Sequence, residues 1–64
     1  MIVQLSKGEK YQPIGTVPTM FNLLDGEIRV TTEHTSIIHK APYRGPLPSV
    51  EIECVKGPAL LSVY

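Results

Sequence analysis

The chain of 64 residues has little of what usually cross-links or fills a small fold: one cysteine, Cys54, one phenylalanine and no tryptophan. A lone thiol excludes a disulfide within the chain and is typical of a reducing compartment. A zinc site needs about four cysteine or histidine ligands at close spacing, and Cys54, His34 and His39 offer no such spacing. We therefore expect neither metal nor cofactor. Below about 70–80 residues a core alone rarely contributes more than about 3–5 kcal/mol, so we expect other chains to stabilise the fold.

The sequence also lacks an excess of charge and a long apolar run. Six lysines and arginines balance six acidic residues and are spread along the chain, whereas nucleic-acid binding usually requires a basic excess or stripe. No apolar run approaches the roughly 18 residues of a membrane span, and the first residues do not resemble a signal peptide. We expect neither nucleic acid nor a membrane as partner, and a location in the cytoplasm or in a particle assembled there.

Motifs of catalysis are missing as well. No glycine-rich phosphate motif occurs. His34 and His39 would point to opposite faces of a continuous strand, and Cys54, with no histidine near it in sequence, is interpreted as a small buried apolar residue. Glu51 and Glu53 would share a strand face, but so short a chain has no cleft to hold a sugar between them. We expect no enzymatic activity.

Short strands separated by proline and glycine are what the sequence does contain. "IVQL" at residues 2–5 predicts a strand, the stretch Lys7–Pro18 a loop, and the β-branched run "RVTTEHTSIIHK" at residues 29–40 an extended segment. The sequence predicts one all-β domain over residues 1–64, a small barrel or sandwich of five to six short antiparallel strands with proline- and glycine-rich connecting arms.

Asp25-Gly26 within "MFNLLDGEIRV" predicts a β-hairpin with a type I′ turn. Counting outward from the turn places four apolar residues on one face and polar side chains on the other. The four are Phe21, Leu23, Ile28 and Val30. The alternative is a short helix over residues 19–25, with Thr19 as its N-cap and Gly26 at its end.

A second hairpin is predicted in "VEIECVKGPALLSVY", with a loop over Val55–Pro58. Its apolar face would comprise Val50, Ile52, Cys54, Ala59, Leu61 and Val63. Leu60 and Tyr64 fall on the opposite face and would be partly exposed, which makes them candidate contacts with another protein. Ile37 and Ile38 are adjacent, so one of the two must also point away from the core.

The segment "APYRGPLP" at residues 41–48 contains three prolines and a glycine. Proline fixes φ and restricts the residue before it, so this segment is stiff and costs little entropy to order against a partner. It presents Tyr43 and Arg44, residue types enriched in binding hot spots. Two interpretations stay open: a crossover connection between two sheets, and an arm that contacts a partner.

The short strands, the proline-rich stretches "YQPIGTVP" and "APYRGPLP" and the lone Cys54 together resemble the small all-β accessory proteins of tailed-phage virions. That resemblance implies many identical copies bound to a symmetric protein shell, which they decorate, cement or complete without chemistry. The expected function is that of a non-catalytic structural protein, located in the virion or the host cytoplasm, that forms homo-oligomers and docks on a larger assembly such as a capsid.

Two other functions stay open. A small β-barrel module that binds nucleic acid or a peptide would need Lys10, Tyr11, Tyr43 and Arg44 gathered into one patch. An accessory subunit of an enzyme complex would co-purify with a catalytic chain.

Overall fold

In a computed structural model, which describes residues 1–15 and 18–64, the chain forms one antiparallel β-sheet with no helix among those residues. The six strands are β1 (Ile2–Leu5), β2 (Lys10–Tyr11), β3 (Met20–Thr31), β4 (Ser36–Lys40), β5 (Tyr43–Pro46) and β6 (Glu51–Val63). The prediction of an all-β fold of five to six antiparallel strands is confirmed, with six strands in one sheet. The sheet is not closed into a barrel.

Two long strands, β3 and β6, lie side by side at the centre of the sheet and carry the short strands on their outer edges. On the free edge of β6, β1 pairs with its carboxyl-terminal part and β2 with its amino-terminal part. On the free edge of β3, β5 pairs with the amino-terminal part and β4 with the carboxyl-terminal part. The sheet therefore has two halves. We call them the β1–β5 half, with residues 20–23 and 59–63, and the β2–β4 half, with residues 28–31 and 51–54.

A bend separates the two halves. It lies where the pairing of β3 with β6 changes register and where both pairs of edge strands are interrupted. The pairing of β3 with β6 changes register between Leu23 and Ile28. The gap between β1 and β2 lies at the same level, where the Gly8 amide donates to the Cys54 carbonyl at 2.8 Å. The gap between β4 and β5 also lies at this level, because the Ala41 amide in that gap donates to the Gly26 carbonyl at 3.0 Å. β-Bulges and glycines are the usual means of bending a sheet in this way.

The bend reverses which positions face the core. Phe21 and Leu23 are buried before it and Ile28 after it, an odd number of positions further on. In β6 the same reversal separates Cys54 from Ala59. The buried core joins both halves and consists of Leu5, Phe21, Leu23, Ile28, Ile52, Cys54, Ala59, Leu61 and Val63.

Both predicted hairpins are wrong, although most of the residues predicted to face the core do so. Residues 20–31 form one strand, and so do residues 51–63. Phe21 lies opposite Val63 instead of Val30, and Ile28 opposite Cys54 instead of Leu23. A bulged bend and a tight turn both exchange the two faces of the chain, so the apolar pattern is the same for either. Val50 lies outside β6 and is 39% exposed.

Other local predictions are also corrected. The helix over residues 19–25 is absent, since that segment belongs to β3. The extended run at residues 29–40 is interrupted after Thr31, because the Thr32 hydroxyl accepts the backbone N–H groups of His34 and Thr35 and closes a turn. The predicted loop over Lys7–Pro18 contains β2; its positions 16 and 17, which also belong to "YQPIGTVP", lie outside the described residues.

Both interpretations of the segment "APYRGPLP" are wrong for its central residues, which are neither a crossover loop nor a free arm. Its residues Tyr43–Pro46 form β5 and pair with residues 20–23 of β3. Proline is tolerated here because β5 lies at the edge of the sheet, where an amide facing away from the neighbouring strand needs no partner.

Candidate protein-docking surface

The outer side of the β1–β5 half, which faces away from the core, carries a group of apolar side chains. Ile2, Ser62, Asn22 and Arg44 lie directly opposite one another across four strands, and residues opposite one another share a face. Leu60 and Tyr64 lie two positions from Ser62 on either side, so they share this face as well. Met20 joins them, because its backbone N–H and C=O both bond to Tyr64 at 2.9 Å. We call Ile2, Met20, Leu60, Tyr64 and Arg44 the outer patch.

Exposure distinguishes the outer patch from the core beneath it. Ile2 is 63% exposed and Tyr64 46%, while Leu60 and Met20 are half-buried. The Arg44 guanidinium lies 5.7 Å from the centre of the Tyr64 ring, within the range of a cation–π contact. That contact holds an arginine and a tyrosine together at the edge of an apolar surface, the combination common at protein interfaces.

The outer side of the β2–β4 half is ionic by contrast. Glu53 lies opposite both Arg29 and Lys10 and accepts a 2.8 Å hydrogen bond from the Arg29 guanidinium. Glu51 lies 3.4 Å from the Lys10 ammonium. Each of the two glutamates is therefore paired with a cation, and the outer surface is divided into a mainly ionic half and a mainly apolar half.

Five of the six candidate contact residues are distributed over three places. Leu60, Tyr64 and Arg44 lie together in the outer patch. Ile38 lies opposite Arg29 on the outer side of β4, and Ile37 lies opposite Val30 on the inner side; they are 54% and 51% exposed.

Tyr43 is the exception among the candidates, because it faces inward. Its ring is tilted against Phe21 at 5.8 Å and stacked on His39 at 3.7 Å. A groove of about 230 Å³ opens beside this stack, between β4 and residues 46–49. The Tyr43 ring is thus engaged in intramolecular packing, and the docking surface does not include it.

The side chains that a nucleic-acid or peptide module would need are not gathered into one patch. Tyr11 lies opposite Ile52 on the inner side of the sheet. Tyr43 also faces the inner side, but in the β1–β5 half. Lys10 is on the ionic outer side and Arg44 in the outer patch.

The residues considered for chemistry occupy ordinary structural positions. Cys54 is fully buried in the core, as predicted. His34 is exposed in the turn before β4, and His39 is stacked on Tyr43 within the strand. Within residues 1–15 and 18–64, no three histidine, cysteine or carboxylate side chains come together as metal ligands. The same residues contain no helix that could cross a membrane.

Ile2 and Met20 belong to the outer patch but were not predicted from sequence. Ile2 could have been found, because Val3 and Leu5 face inward in the alternating "IVQL" and leave Ile2 outside. Met20 could not, because its neighbour Tyr64 is far away in sequence and the pairing of β3 with β6 brings them together.

Comparisons of the chain with protein-family models, with curated proteins and with solved structures find no match.

Proposed function

We propose that this protein is a non-catalytic structural protein that associates with copies of itself and docks through its outer patch on a larger protein assembly, such as the shell of a virion. The observation that supports this most directly is the contrast between the two outer faces. A sheet face that met only water would be expected to carry mainly charged and polar side chains, as the β2–β4 half does apart from Ile38. The β1–β5 half instead exposes Ile2 and Tyr64 and leaves Leu60 half-buried beside them.

The chemistry of the outer patch defines what it would bind. Apolar burial contributes about 25 cal/mol for each Å² removed from water, so the favourable partner is an apolar protein surface. The single cation, Arg44, lies at the margin and would favour an acidic or aromatic side chain on the partner. Decoration, cementing or a minor structural place in a capsid all require this kind of contact.

A double substitution tests the proposal on the protein alone. We expect Leu60→Ser with Tyr64→Ser to shift sedimentation velocity profiles at micromolar concentration toward smaller species, because two apolar contacts of the patch are lost. Circular dichroism should show unchanged strand content, since both side chains are outside the core.

The matched control is Ile14→Ser with Val50→Ser, which removes two exposed apolar side chains elsewhere (88% and 39% exposed). It should sediment like the unaltered protein. If the Leu60/Tyr64 variant assembles as the control does, the outer patch is not the contact surface.

A further inference from the structure

We infer that two copies of this chain pair through β4, strand against antiparallel strand, across a two-fold axis. β4 lies at the edge of the sheet and pairs with β3 on one side only; no other strand of the described residues pairs with its second edge. Uncovered edge strands pair readily with a further strand. This deepens the proposed function by identifying a second surface, distinct from the outer patch, through which copies of the chain associate.

Among the edge strands of the described residues, β4 is the longest, with five residues against four in β1. β2 has two residues, and β5 ends in Pro46 and follows Pro42, neither of which has an N–H to donate. β4 has five residues without proline. At its centre are Ile37 and Ile38, both more than half exposed.

Charge complementarity identifies the occupant as a second copy. Glu33, in the turn that leads into β4, and Lys40, at the end of β4, are both exposed, and the two ion pairs found among the described residues use other side chains. The edge thus carries a negative charge at its start, isoleucines in the middle and a positive charge at its end. Antiparallel pairing of identical edges brings each negative end toward the positive end of the other copy.

The faces of the strand also fit this pairing. With Ile38 opposite Ile38 of the second copy, Ile37 lies opposite His39 of the second copy, and both of these are on the inner side. Lys40 then lies opposite Ser36 of the second copy, one short turn from Glu33 of that copy. β1, the other edge strand of more than two residues without proline, has no charged residue within "IVQL", so it lacks this complementarity.

Charge reversal tests the contact, with the Kd of the dimer measured by sedimentation velocity. Glu33→Lys and Lys40→Glu each place like charges together at both ends of the pair, so we expect each to raise Kd about tenfold. The double variant Glu33→Lys/Lys40→Glu restores opposite charges and should return Kd to within about twofold of the unaltered protein. A double variant that is as weak as the single variants would overturn the inference, and so would single variants without effect.

A second variant probes the centre of the contact independently of its ends. Ile38→Lys would place two ammonium groups against each other on the two-fold axis and should abolish the dimer. Ile14→Lys, at a more exposed isoleucine outside the sheet, should leave it intact. Melting curves of all variants establish that they are folded. Equal dimerisation of the two lysine variants would contradict pairing through β4.

These results can be separated from those for the outer patch. The Leu60→Ser/Tyr64→Ser variant should lose the species larger than a dimer and still form the β4 dimer, while the charge-reversed variants should keep association through the outer patch. If only the outer-patch variant loses self-association, the inference about β4 fails and the proposed function stands. If the unaltered protein is monomeric at all concentrations, both fail.

Discussion

Gly26 is the single residue on which the bend of the sheet depends most closely. Its φ is +89°, and a Cβ added there would lie 2.8 Å from both the Ala59 Cα and the Pro58 carbonyl oxygen. Gly8 has the same φ of +89°, but a Cβ there would meet nothing within 4 Å. The two glycines therefore share a backbone conformation and differ in how closely β6 approaches them.

We expect Gly26→Ala to destabilise the protein by several kcal/mol more than Gly8→Ala. An L-residue at positive φ costs about 1–2 kcal/mol in either place, whereas only alanine at position 26 must also displace backbone atoms of β6. Denaturant unfolding of both variants measures the difference. Similar losses for the two would mean that β6 does not approach the bend as closely as described.

At the scale of the strand, the faces of β3 and β6 could be predicted from sequence but their partners could not. Phe21, Leu23 and Ile28 were assigned to one buried face, and all three are in the core. A hairpin at Asp25-Gly26 and a bulged bend at the same place both reverse the alternation, so the apolar pattern cannot distinguish them. Which of the two structures forms depends on β6, because β6 pairs with β3 along both halves of the sheet and so keeps residues 20–31 in one strand.

Backbone NOEs test this choice directly. Cross-strand contacts should join Phe21 with Val63 and Ile28 with Cys54, because these residues are opposite one another in the sheet. The hairpin would instead give contacts between Leu23 and Ile28. Observing the hairpin contacts without those to β6 would show that residues 20–31 fold back on themselves.

At the scale of the whole molecule, the candidate contact surface was only partly predictable from sequence. Leu60 and Tyr64 could be assigned to an outward face, since they alternate with inward residues of the same strand. Ile2, Met20 and Arg44 join them only through the pairing of four strands, which local patterns do not contain. The charge complementarity of β4 likewise becomes meaningful only once that strand is known to lie at an edge.

The small size of the molecule makes any such contact important for its stability. An ordinary interface takes about 800 Å² from each partner, about a fifth of the 4065 Å² that this chain exposes. Binding to the folded state alone stabilises that state by mass action. We therefore expect the melting temperature to rise with protein concentration, as differential scanning fluorimetry or calorimetry would detect; a constant value would indicate that association and folding are independent.

Sedimentation velocity of the unaltered protein, from nanomolar to tens of micromolar, tests most directly whether this chain acts by assembling with other copies. We expect a sedimentation coefficient that rises with concentration from that of a 7.1 kDa monomer to that of a dimer or larger species. A monomer across the whole range, melting cooperatively at high temperature, would contradict it.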